Sequence, residues 1–170
     1  MPTEGSPLRG GVLKTSDNQP IGLPVPPGTP VGVPVIVCSA QKGGKALMAA
    51  AADNSMLGFF VRIRDLHGVP VRDAWVQWVA AVPPCELTLV DGARATLRGA
   101  VERRQDSQRI SFTPNLASLP TLVSSSQIGG VPQMACSVSN STSGTTISII
   151  EHTGAGARDG WLQWLAIARN

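Results

Sequence analysis

The chain has 170 residues, 42% of them hydrophobic and only 15% charged, with 18 Gly and 14 Pro. That balance excludes a helical bundle and points to many short strands joined by turns. The net charge of +3 is spread over scattered Lys and Arg rather than a patch, and no run reaches the ~20 apolar residues of a bilayer span. Neither nucleic acid nor membrane insertion is therefore expected.

Taken in order, Met1-Pro-Thr-Glu-Gly-Ser-Pro7 has no basic stretch and no apolar run, so no secretory signal is expected. The Pro/Gly-rich Gly22–Pro30 stretch reads as a loop. Val35-Ile-Val-Cys-Ser39 is a β-branched run behind a Pro and predicts a strand, and Gly43-Gly44 predicts a hairpin turn. Lys45–Ala52 is rich in Ala and Leu, residues that suit a helix equally well. Asp53-Asn-Ser55 signals a turn. Phe59–Arg64 alternates as a strand does, with Val61 and Ile63 on one face and Arg62 and Arg64 on the other. After a loop at 66–71 comes Asp73-Ala-Trp-Val-Gln-Trp-Val-Ala80.

That last segment returns 86 residues later as Asp159-Gly-Trp-Leu-Gln-Trp-Leu-Ala166, and the two copies hold all four tryptophans. At this offset Pro34–Ala80 aligns without a gap on Pro120–Ala166. Gly43/Gly129, Gly44/Gly130, Met48/Met134, Asn54/Asn140 and Asp73/Asp159 are identical pairs. Upstream the offset becomes 89, with Gly10/Gly99 and Asp17/Asp106 matched, and the change falls within the Gly22–Pro30 loop. The chain is a duplication. Residues 1–82 form a first domain with an N-terminal arm, 83–96 a linker, and 97–170 a second domain. The duplication also decides Lys45–Ala52: its partner Val131–Ser139 is not helical in character, so both are read as strands. Ser139-Asn-Ser141 is read as a turn, like its counterpart.

On the repeated strand Val76, Trp78 and Ala80 share one face, and Trp75, Gln77 and Val79 the other. Trp161, Gln163 and Trp164 follow the same pattern. A strand apolar on both faces is expected to be buried twice, once in its own domain and once against a neighbour. The Gln77 and Gln163 amides would then need partners across that interface and could fix its register. Arg72-Asp73 and Arg158-Asp159 are candidates for a turn charge pair or for polar contacts between subunits. His67 and His152 lie on loops with Asp65 and Glu151 nearby, but without a nucleophile or cleft. No catalytic residue, metal ligand set or cofactor motif is expected. Cys38, Cys85 and Cys136 have no metal-ligand spacing and do not pair between the repeats. They read as small buried thiols, or as cross-links between chains in an oxidising exterior.

These residues resemble the H-type lectin domain. The second repeat carries the pattern as Gly99, Ile110-Ser-Phe112 before Pro114, Leu119–Ser124, Asn140, Ile147-Ser-Ile149 and Leu162-Gln-Trp-Leu-Ala-Ile167. The resemblance implies two tandem six-stranded antiparallel β-sandwiches, a homotrimer, and sugar sites near subunit boundaries. Such domains occur in bacteriophage tail fibres and in invertebrate agglutinins. The candidate ligand loops hold Gln41 and Lys42 in one copy and Gln127 in the other, without the family's acidic residue. The resemblance thus implies a virion structural or attachment protein, a head decoration or a short tail-fibre component, with other virion proteins as partners. A free lectin that binds host surface glycans is the alternative.

Overall fold

A computed structural model describes residues 7–25, 27–28 and 31–170. The expected loop at Gly22–Pro30 falls partly outside these residues, as does the start of the expected arm. Every regular element among the described residues is a β-strand. In the first repeat these are β1 (Leu8–Thr15), β2 (Gln19–Gly22), β3 (Val35–Lys42), β4 (Lys45–Ala52), β5 (Gly58–Arg64) and β6 (Ala74–Ala81). In the rest of the chain they are β7 (Cys85–Thr88), β8 (Arg94–Arg103), β9 (Gln108–Ser111), β10 (Thr121–Ile128), β11 (Val131–Ser141), β12 (Gly144–Ile150) and β13 (Trp161–Arg169).

The strands form two antiparallel sheets, ordered β1-β6-β3-β4-β5-β2 and β7-β8-β13-β10-β11-β12-β9. Apart from β7 the two orders are the same once the repeats are superposed. β3 and β10, and β5 and β12, begin and end at equivalent residues. The Ala-rich segment is a strand, as its partner required. The second sheet has seven strands rather than six, because Cys85–Thr88 of the expected linker pairs with β8. Leu8–Gly22 of the expected arm is β1 and β2, paired with β6 and β5.

Both sheets curl. The start of β4 pairs with β3 (Ala40 with Leu47), while Met48–Ala52 pair with β5. β11 passes in the same way from β10 to β12. Gly43-Gly44 and Gly129-Gly130 make the preceding turns, each with two positive φ values near 55° and 76°, which residues other than Gly rarely adopt in succession. Ser139-Asn-Ser141 is strand rather than turn. A bulge between Ser137 and Ser139 takes up a residue, so Asn140 pairs with Thr145 and Ser141 with Gly144.

Alternation sorts the side chains. In the first repeat Ile36, Cys38, Val61, Ile63, Val76 and Phe59 fill the interior of the curl. In the second Ile110, Phe112, Ile147, Ile149, Leu162 and Trp164 do so. Gly10 and Gly99 let β1 and β8 approach the Trp strand closely: a Cβ at Gly99 would sit 2.6 Å from the Trp164 carbonyl oxygen. Asp17 and Asp106 brace equivalent places. Their Oδ1 atoms accept from the backbone N–H of Ile63 (2.7 Å) and Ile149 (2.8 Å). The Ile149 N–H and the Ser148 hydroxyl hold the Asp106 carboxyl below its usual pKa of 3.8. A third apolar cluster lies outside both curls, where Val35, Val37 and Ala81 meet Leu97 and Leu165. There the two lobes pack, sheet face on sheet face.

Candidate functional site

The four tryptophans divide by face. Trp78 and Trp164 point inward, against Phe59 and Phe112 at ring-centroid distances of 5.8 and 5.7 Å. The Trp164 indole N–H donates to Glu102 at 2.8 Å. Trp75 and Trp161 point outward and stay exposed. Arg103 lies over the Trp161 ring, 5.6 Å from its centroid, and is ion-paired to Asp159.

Burial of the outer face differs between the copies. Gln163 is 4% exposed and its amide spans the lobe boundary. Its Oε1 accepts from the Ile36 backbone N–H (2.8 Å) and from Asn54 Nδ2 (2.7 Å), and its Nε2 donates to the Ala51 carbonyl (2.9 Å). Both functional ends of a buried amide are thus satisfied, as burial requires. The neighbour that Gln163 meets is the chain's own first repeat. Gln77, the same residue of the first repeat, is exposed.

The receiving surface is unequal as well. Val37, Met48 and Ala52 are 7, 2 and 6% exposed, whereas their counterparts Val123, Met134 and Val138 are 41, 43 and 61% exposed. Between the lobes a groove of about 500 Å³ is walled by Gln77 and Val79 on one side and by Leu122, Val123 and Ser137 on the other. The first repeat therefore has an open Gln face and a covered receiving face, and the second has the reverse.

The candidate ligand loops are occupied by their own turns. Gln41 Oε1 accepts from Gly44 N–H (3.0 Å), Gln127 Oε1 accepts from Gly130 N–H (2.8 Å), and Lys42 Nζ donates to the Arg72 carbonyl (2.7 Å). Gln127 also lines a smaller hollow with Asp53, Asn54 and Trp161 at the lobe boundary. The repeated Arg-Asp dipeptides do different things. Asp73 has a φ of 55° and its backbone N–H donates to Ser16 Oγ. Asp159 pairs with Arg103, and Arg72 and Arg158 are exposed.

His67 and His152 lie on loops that meet at the boundary: His152 packs against Gly68. Asp65 sits beside them with its pKa lowered, chiefly by the Val69 N–H and then by the His67 N–H. Among the described residues no group of three His, Cys, Asp or Glu could hold a metal ion. The three cysteines are free. Cys38 is buried, which pushes its thiol pKa strongly upward, Cys85 is half-buried, and Cys136 is exposed.

Sequence reasoning found the glutamines but not their receptors. In the sequence Asn54 forms an identical pair with Asn140 and sits in the turn signal Asp53-Asn-Ser55. Its second role, facing the other lobe, leaves no local signature.

The chain matches no protein-family model, and no curated protein or solved structure matches it.

Proposed function

We propose that this chain is a non-enzymatic structural or attachment component of a bacteriophage particle, either a head decoration or a short tail-fibre or tip piece. In this reading each curled sheet, the second with β7 added at its edge, is a sandwich of the H-type lectin kind and three chains assemble. One observation carries the reading: the chain is built around a lobe-to-lobe interface, and each lobe leaves one half of that interface open. Such a surface suits assembly better than chemistry. The turn-capping roles of Gln41 and Gln127 point the same way, since those amides are already engaged.

A carbohydrate-binding lectin is the second reading, favoured by the exposed Trp161 with Arg103 and Asp159 beside it. An exposed indole with polar groups around it is the kind of surface on which a sugar ring stacks. Solution mass and glycan binding on the purified protein separate the two. The virion reading expects a trimer and no monosaccharide binding. Clear binding that disappears in Trp161→Ala would transfer the assignment to the lectin, and a stable monomer would end the trimer.

A further inference from the structure

The duplication allows the internal interface to be carried onto the chain's free surfaces. Gln163 of the second repeat grips Ile36, Ala51 and Asn54 of the first. Shifted by the same 86 residues, the grip becomes Gln77 on Leu122, Ser137 and Asn140. Within one chain both halves of this second contact are present but unjoined: Gln77 is exposed, and so are Asn140, Val123 and Val138.

We propose that Gln77 of one chain docks on the backbone of Leu122 and Ser137 of a second copy, repeating between chains the backbone part of the Gln163 grip. The backbone can supply it. In the first repeat the Ile36 N–H and the Ala51 carbonyl point outward to meet Gln163. Leu122 and Ser137 hold the equivalent places on β10 and β11, whose pairings with β13 and β12 follow those of β3 and β4 with β6 and β5. Part of the apolar surround is present too: Val123 and Met134 take the places of Val37 and Met48, and Val138, on the bulge that follows Ser137, stays exposed beside them. A self-complementary patch would join two copies and stop. This contact is head-to-tail, so each chain offers one free Gln face and one free receiving face, and copies form a ring where the rotation between them closes. In the trimer proposed above, the contact would occur three times. The inference rests on that reading only for the number of copies.

The test uses two single variants at exposed positions, Gln77→Arg and Val138→Asp, with mass followed by sedimentation. Each alone is expected to raise the dissociation constant of the assembly by at least about tenfold. Mixed, they are expected to form a one-to-one dimer, because a Gln77→Arg chain keeps a sound receiving face and a Val138→Asp chain a sound Gln face. Circular dichroism and a thermal melt would confirm that both stay folded. A two-chain or four-chain assembly that both variants weaken would keep this contact and reject the trimer. A trimer indifferent to both variants would keep the trimer and overturn the contact. A wild-type monomer at high concentration would overturn both. Partnering with a different protein while the chain stays monomeric would also overturn the contact.

Discussion

Gln163 Nε2 donates to the Ala51 carbonyl at 2.9 Å, across the boundary between two copies of one sequence. Its counterpart Gln77 lies in solvent. The same residue in the same strand thus has opposite environments, which makes the pair an internal control.

Gln163→Ala should destabilise the chain by about 2–4 kcal/mol, because the Ile36 N–H, the Ala51 carbonyl and Asn54 lose a buried partner together. Gln77→Ala should change the unfolding free energy of the dissociated chain by less than about 0.5 kcal/mol. Denaturant unfolding of both at low protein concentration checks this. Equal losses would mean that the Gln163 bonds carry little of the lobe packing.

The tryptophans divide likewise. Trp164→Ala should cost about 3–5 kcal/mol through loss of a packed core ring. Trp161→Ala should cost under about 1 kcal/mol, since its outer face and the Arg103 contact are largely solvated. A fluorescence quencher in water should reach Trp75 and Trp161 most, the half-buried Trp78 less, and Trp164 least. Uniform quenching of all four would contradict the inward placement of the second Trp in each motif.

Asp106 gives a pH dependence of known sign. Its folded-state pKa lies below the ordinary 3.8, so its contribution to stability is present above 3.8 and is lost as pH falls through the folded value. Asp106→Asn should therefore melt below the wild type at neutral pH, with the gap closing in acid beneath 3.8. A gap that stays constant down to the lowest pH would show that the carboxylate charge is not what braces Ile149 and Ser148.

Thiol labelling reports on the groove. Cys136 is exposed in the single chain, while its counterpart Ala50 is 1% exposed beneath the other lobe. Cys136 should therefore react quickly with a maleimide in the dissociated Val138→Asp protein and slowly in the assembled wild type. Cys38 should resist in both, because burial keeps it as the thiol. Fast labelling of Cys136 in the assembly would place the receiving face outside the contact.

Most of the strands were legible because the sequence was written twice. Lys45–Ala52 taken alone suits a helix, and only Val131–Ser139 excluded one. The turns at Gly43-Gly44 and Gly129-Gly130 and the alternation in Phe59–Arg64 were local signals. What escaped was long-range or unpaired between copies. β7 has no counterpart in the first repeat, so the alignment passed over it as linker. The bulge at Ser137 carried Ser139–Ser141 into a strand where the shared Asn-Ser suggested a turn. The two Gln-Trp motifs are nearly the same string, so nothing in them could tell that Gln163 is covered and Gln77 open. That difference arises only when one lobe is laid against the other.

The covalent fusion of the two lobes has a consequence for parity. Each chain uses one Gln face and one receiving face internally and presents one of each outside. Any closed ring made only of intact copies must then contain an even number of lobes. Cutting the chain between Ala81 and Cys85, ahead of β7, would remove that rule, and freed halves could close rings of odd count that the joined chain cannot reach.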